Sequence, residues 1–139
     1  MQGRLEFVDT NVLLRLARRD VPAQVDSAEA YLRGAPGRGF ELAVTTTTVS
    51  EFAFVLGGAM LGYSRQEVAG ALQALLELPF RFQDLPVIAL AVDLYRDHHP
   101  DWDDCLLAAY AIERADGRVV SFDRGLDRIP GLSRQAPAS

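Results

Sequence analysis

The sequence predicts a three-layer α/β/α domain with a central, mostly parallel sheet of four to five strands. Short apolar runs of strand length alternate with longer segments whose apolar residues recur at helical spacing. Such alternation is typical of parallel strands joined by helical crossovers. The 139 residues suit one hydrophobic core. No repeat or linker divides them, so we expect a single domain over residues 1–139, with a tail that frays from about residue 134.

The first half of the chain is predicted to hold two strands and four helices. Residues 46–48 are expected to cap the third helix, and Gly62 is expected to end it. Ser64 and Glu67 have the spacing of a capping box for the fourth helix. The predicted strands cover residues 5–8 and 42–45. The predicted helices cover residues 11–18, residues 21 or 22 to 32, a segment through residue 51 to about 61, and residues 64 to about 78.

The second half is predicted to alternate in the same way. Residues 80–83 alternate with period two, which favours a short strand. Pro100 separates two helices, because proline interrupts helical hydrogen bonding. These helices cover about residues 86–97 and residues 101 or 102 to about 115, and they precede a turn at 116–117 and strands at 118–121 and near 132–134.

Charge and residue types narrow the classes of function. The net charge of −5 argues against tight, non-specific nucleic-acid binding but allows a nuclease that meets its substrate through bound cations. All 14 basic residues are Arg, so the chain has neither a Schiff-base lysine nor the lysine of a phosphate-binding loop. The single cysteine, Cys105, excludes an intrachain disulfide and is expected to pack in the core.

We also expect a cytoplasmic protein without a membrane anchor. The N-terminal residues lack a charged-then-apolar signal pattern, and no apolar stretch reaches the roughly 18–20 residues of a membrane span. His98 and His99 are adjacent, so they do not form the pair of imidazoles, four residues apart, that binds zinc on a helix. We expect both to be exposed at the end of a helix.

Four acidic residues are expected at one edge of the sheet. Asp9 follows the first strand, and Glu51 lies in the first turns of the helix after the second. Asp123 follows the strand that ends near residue 121, and Asp104 lies near the start of the preceding helix. Ligands of open parallel sheets bind beyond the carboxyl ends of the strands. We therefore predict a catalytic site of Asp9, Glu51, Asp104 and Asp123.

Each acid also has an ordinary structural explanation. Asp9 has the position of a helix cap, Asp123 that of a turn residue, and Glu51 that of a solvent-facing residue. Asp104 suits the positive end of a helix dipole. The four acids together are more informative than any one of them. Glu51 and Asp104 lie in apolar segments, where an unpaired charge is unfavourable. Carboxylates that converge on one place also raise one another's pKa.

A divalent cation would relieve that repulsion. Oxygen-only ligands favour Mg²⁺ or Mn²⁺ over zinc. Such a site suits phosphodiester hydrolysis, because the cation lowers the pKa of a water molecule and neutralises phosphate charge, so no side-chain nucleophile is needed. Thr10, Asn11, Ser50 and Ser121 lie beside the acids. They are candidates for hydrogen bonds that fix the carboxylates, with capping and turn formation as the alternative.

Four segments together suggest a family. They are residues 7–14 (FVDTNVLL), 48–56 (TVSEFAFVL), 101–109 (DWDDCLLAA) and 120–124 (VSFDR). In content, order and spacing the chain resembles the PIN-domain family, and most closely its VapC-type toxins from prokaryotic toxin–antitoxin pairs. This resemblance implies Mg²⁺- or Mn²⁺-dependent cleavage of RNA, a homodimer, and a cognate antitoxin that occludes the site.

The resemblance also implies roles for individual residues. Asp9, Glu51, Asp104 and Asp123 match the metal-binding acids, Asp101 matches a less constant acidic position, and Asn11 and Ser121 match polar neighbours. Asp103 makes the third segment unusually acidic, so the ligand among its three acids stays open. Spacing favours Asp104, because residues three apart share a helix face and Asp101 can then point the same way.

Five arginines flank the acids in sequence: Arg15, Arg18, Arg19, Arg124 and Arg128. We hypothesise that some of them contact RNA phosphates, and the alternative is a solvated helix face.

Three other functions compete with this interpretation. A phosphatase or receiver domain also carries acids at strand ends, but it needs a lysine, and Asn11 stands where an aspartyl phosphatase has its second Asp. A catalytically silent PIN-like binding module would not need four intact acids. A PIN nuclease of RNA processing is the third alternative, and an antitoxin gene beside this one would argue against it.

Overall fold

The computed structural model describes residues 3–138, so residues 1, 2 and 139 of the predicted domain lie outside the described range. Within it, helices α1 to α6 span Thr10–Arg18, Pro22–Gly34, Thr46–Gly57, Arg65–Leu76, Leu85–Asp97 and Trp102–Arg114. Strands β1 to β5 span Arg4–Phe7, Phe40–Val44, Arg81–Phe82, Arg118–Val120 and Ser133–Gln135. The mixed α/β fold with parallel strands is consistent with the predicted three-layer α/β/α architecture.

The arrangement of the strands differs from the expected single sheet in one respect. The strands are divided between two sheets. The first has the order β1-β2-β3 and the second contains β4 and β5, with parallel pairing throughout. The strand β4 has three residues, and its ladder hydrogen bonds are formed with β5. Phe7 of β1 and Val120 of β4 are both largely exposed.

Local sequence signals set most of the helix boundaries. The Ser64–Glu67 capping box is confirmed, with Ser64 N donating to Glu67 Oε1 at 3.0 Å and Glu67 N donating to Ser64 Oγ at 3.1 Å. The predicted cap of α3 is wrong by one residue, because Thr45 accepts the capping hydrogen bond from Thr48 N. The helix also ends at Gly57 rather than near residue 61, since Gly57 and Gly58 form a pair of poor helix formers.

The hydrophobic core lies between the helices and the strands. Its largest fully buried side chains include Phe52 and Leu56 of α3, Leu72 of α4 and Ile88 of α5. The turn before β4 needs glycine, because Gly117 has φ +79° and a Cβ there would lie 2.1 Å from the carbonyl oxygen of Gly131. Among residues 3–138, no helix is both long and apolar enough to cross a membrane.

Candidate metal site

The first part of the candidate site joins the start of α1 to α3. Asp9 occupies the N-cap position of α1, but its side chain makes no capping hydrogen bond. Its Oδ2 accepts a 3.2 Å hydrogen bond from Asn11 Nδ2 instead. The buried Thr10 donates from Oγ1 to Glu51 Oε2 at 2.7 Å, which ties the two helices together. The structure therefore does not support a capping role for the Asp9 carboxylate.

Glu51 lies on the exposed side of α3, although its neighbours Phe52 and Ala53 are buried. The expectation that the apolar segment would surround this charge is therefore wrong, because the helical period turns Glu51 away from the core. Its carboxylate is held by Thr10 and remains accessible for another ligand.

The second part of the candidate site lies at the N-terminus of α6. Asp101 is the N-cap, and its Oδ1 accepts from Asp104 N at 2.9 Å. Partial burial raises the pKa of the Asp104 carboxyl above its ordinary value, and the negative charges of Asp101, Asp123 and Asp103 raise it further. His99 acts in the opposite direction on the same group. Burial and the neighbouring negative charges thus disfavour the ionised form of Asp104.

Asp123 lies in the loop after β4, which is held by local hydrogen bonds and an ion pair. Asp123 N donates to Ser121 Oγ at 2.9 Å, and Asp123 Oδ1 accepts from Gly125 N at 2.8 Å. Arg134 of β5 donates to Ser121 O at 3.1 Å and forms a bidentate pair with Asp127. The turn role considered for Asp123 is therefore present, and its Oδ2 is left for a further contact.

A hydrogen bond connects the two parts of the site. Trp102 Nε1 donates to Ser50 Oγ at 2.9 Å, so the start of α6 is fixed against the residue that precedes Glu51. The Trp102 ring packs edge-on against Tyr95 of α5, with 5.9 Å between the ring centroids. Neither Trp102 nor Ser50 is an acid. Their hydrogen bond nevertheless fixes the position of α6, which carries Asp104, relative to α3, which carries Glu51.

The structure brings some of the predicted acids together more closely than others. Asp104 is near enough to Asp101, Asp103 and Asp123 for their charges to shift its pKa. Asp9 and Glu51 are linked through adjacent residues of α1. Within residues 3–138, no three carboxylate, imidazole or thiol groups converge closely enough to hold an ion. The donor set nevertheless fits a hard divalent cation in its chemistry, because it offers carboxylate oxygens and crowded negative charge.

His99 was not anticipated as part of this region. The expectation that both histidines are exposed is wrong for His99, which is 7% exposed and packs under the start of α6. Its Nδ1 accepts from Asp101 N at 3.2 Å, and its Nε2 lies 3.7 Å from Asp104 Oδ2. The sequence signal was its position two residues before a helix N-cap, where an imidazole acceptor can meet a backbone N–H. Cys105 is buried as expected, and desolvation raises the pKa of its thiol to about 12.

The flanking arginines fall into two groups. Arg15 and Arg18 both contact Asp20, and Arg19 contacts Glu29 at 2.6 Å. Arg124 and Arg128, on the short 3-10 helix Arg124–Arg128 after Asp123, make no ion pair within the described part of the chain. The second group is therefore better placed to bind an anion beside the acids.

Comparison with known proteins gives one result for the family. A family profile described as the PIN domain matches residues 7–132, which is most of the chain and includes all four predicted acids. No curated protein matches the sequence.

Proposed function

The chain belongs to the PIN-domain family, whose members are generally nucleases, and we propose that it is a ribonuclease dependent on Mg²⁺ or Mn²⁺. The observation that supports this proposal is the crowding of acids at the start of α6, where partial burial and the negative charges of Asp101, Asp123 and Asp103 raise the pKa of the Asp104 carboxyl. In the proposal, Asp9, Glu51, Asp104 and Asp123 hold the cation, and Asp101 keeps its capping contact. When bound, the cation supplies charge neutralisation at the scissile phosphate and lowers the pKa of water.

The chain's own residues would orient this chemistry. The Thr10 hydroxyl and the Asn11 amide hold Glu51 and Asp9, respectively, in fixed rotamers. Ser121 and Gly125 hold the loop that carries Asp123. No lysine or cysteine nucleophile is required, which agrees with the lack of lysine and the burial of Cys105.

The test is cleavage of a defined RNA by purified protein in Mn²⁺, in Mg²⁺ and after chelation with EDTA. Asp104→Asn should abolish cleavage, whereas the neighbouring exposed Asp103→Asn should retain it. This matched pair also decides between Asp104 and Asp103 as the ligand of the segment. Cleavage that persists in EDTA, or full activity in Asp104→Asn, would exclude the proposed chemistry.

Arg124 and Arg128 are proposed to bind RNA phosphates next to the site. Replacing both with Ala should weaken RNA binding and reduce its salt dependence, because each lost phosphate contact removes about one released counterion. Arg18→Ala and Arg19→Ala are matched controls, since carboxylates already partner these side chains. Equal effects of the two pairs of substitutions would contradict this assignment.

The biological role that we propose is the toxin of a toxin–antitoxin pair in the cytoplasm. A groove of about 1070 Å³ between α1, α2 and the end of α3 supports a protein partner. It begins at Asn11, next to the acids, and is bordered by Phe54 and Met60, which are 79% and 97% exposed. Exposed apolar surface of this kind commonly marks a protein-binding site. We propose that the cognate antitoxin binds there and occludes the acids.

The toxin role is tested by growth arrest on expression of this chain and by its relief on co-expression of a small antitoxin gene found beside it. RNA cleavage without growth arrest would favour the alternative of an RNA-processing nuclease. The family resemblance also suggests a homodimer, which light scattering of the purified chain can measure.

A further inference from the structure

His99 occupies a fixed position between α5 and α6. Its backbone N donates to Leu94 O at 3.0 Å, and the Cys105 thiol donates to its carbonyl oxygen at 3.4 Å. Thr10 and His99 are the buried polar side chains of the described residues, and Thr10 already serves Glu51. The role of the second buried polar group therefore needs an explanation.

The hydrogen bond at Nδ1 assigns the tautomer of the ring. Asp101 N is a donor, so Nδ1 must carry a lone pair, and a neutral imidazole then has its proton on Nε2. Nε2 lies 3.7 Å from Asp104 Oδ2. It also borders the Asp123 loop, because a Cβ on Gly125 would lie 3.6 Å from it.

The same tautomer argues against His99 as a metal ligand. A neutral imidazole that binds an ion through Nε2 needs its proton on Nδ1. In this structure Nδ1 faces the N–H of Asp101, where a second hydrogen would be repelled. Nε2 therefore presents a donor toward the acids rather than a lone pair.

We propose that His99 is a positioning residue whose Nε2–H holds one oxygen of Asp104, so that the other oxygen is directed to the cation. This inference rests on the proposed metal-dependent function. Two hydrogen bonds fix this arrangement, because Asp101 caps Asp104 N and His99 accepts from Asp101 N. Nε2 then lies 3.7 Å from Asp104 Oδ2, which is longer than a hydrogen bond, so the proposal requires the Asp104 carboxylate to move slightly toward the ring. Groups that orient a metal-binding carboxylate typically affect metal affinity by about 10–100-fold when removed.

Two amide substitutions test the roles of Nδ1 and Nε2 of His99 separately. His99→Gln places an amide N–H near the position of Nε2 but lacks the acceptor at Nδ1. His99→Asn places an amide oxygen near Nδ1 but does not reach Asp104. We expect His99→Gln to lower the Tm and to keep Mn²⁺ affinity within about threefold of wild type. We expect His99→Asn to keep the Tm and to bind Mn²⁺ at least about tenfold more weakly in calorimetry.

Equal Mn²⁺ affinity in wild type and His99→Asn, or equal losses in both variants, would overturn the inference while leaving the ribonuclease proposal intact. A wild-type chain that neither binds Mn²⁺ nor cleaves RNA overturns both. The ring ¹⁵N chemical shifts of the wild type give a measurement that needs no substitution. The Nε2–H tautomer should persist when Mg²⁺ is added, and a change to Nδ1–H would make His99 a ligand and refute the positioning role.

Discussion

The predicted acids fall into two pairs whose surroundings differ. Asp9 and Glu51 each accept a hydrogen bond from a neutral side chain, Asn11 or Thr10. Asp104 lies near three other carboxylates, and its pKa is raised by burial and by their charges. Neutral side chains therefore hold the first pair, whereas in the second pair Asp123 is held by the backbone N–H of Gly125 and Asp104 lies among negative charges that a cation can neutralise. This difference predicts which substitutions change catalysis, which change stability, and which change both.

The largest expected effect is a loss of RNA cleavage when one acid of either pair is replaced. Asp9→Asn and Asp104→Asn should each reduce cleavage at least about 1000-fold, because each removes ligand charge and about 4 kcal/mol corresponds to that factor. The measurement is single-turnover cleavage with saturating Mn²⁺, and the circular dichroism of each variant should match wild type. If only one variant loses activity, the two pairs do not serve one site.

The next effect concerns the donor to Glu51. Thr10→Val keeps the shape of a buried side chain and removes the hydroxyl that donates at 2.7 Å. Mn²⁺ affinity should fall by about 10–100-fold, and the Tm should change little because water can reach Glu51. Thr10→Ser is the matched control, because it keeps the hydroxyl and should bind Mn²⁺ nearly as well as wild type. Equal losses in both variants would indicate a packing role for Thr10.

A smaller effect should distinguish the pairs in the metal-free protein. Asp104→Asn removes one of several crowded negative charges and should raise the Tm by about 2–4 °C in EDTA. Asp9→Asn should leave the Tm nearly unchanged, because Asp9 is exposed and makes its contact with the neutral Asn11. Calorimetry of both variants in EDTA tests this contrast, and a lower Tm for Asp104→Asn would remove the argument from repulsion.

The smallest effect depends on pH and concerns the loop behind Asp123. The hydrogen bonds and charge of Arg134 hold the pKa of Asp127 below its ordinary value. An acid whose pKa is lowered in the folded protein stabilises the fold at pH values above its ordinary pKa. This stabilisation is lost as the pH falls through the lowered pKa. Asp127→Asn should therefore lower the Tm at pH 7 by about 1–3 °C, and the difference should shrink as the pH falls below the ordinary value of 3.8 toward the lowered pKa. A difference that stays constant over this range would exclude the ion pair as its source.

The sequence predicted those features that depend on neighbouring residues. The capping box of α4 and the boundaries of α5 and α6 follow from side chains within one turn of the helix end. The burial of His99 could not be predicted in this way, because it depends on how α5 and α6 pack at Pro100. To predict that Glu51 is exposed, one would need to know which face of α3 packs against the core. The joint coordination of one ion by the four acids stays a prediction.

The division of the strands gives the fold a mechanical property. Asp9 follows β1 and Asp123 follows β4, but no ladder joins these two strands. The distance between the two carboxylates can therefore change without rupture of any hydrogen bond between strands. Mg²⁺ requires oxygen ligands at about 2.0–2.1 Å in near-octahedral geometry. We therefore expect any contraction around a small ion to be accommodated at the boundary between the sheets rather than by breaking hydrogen bonds within either sheet.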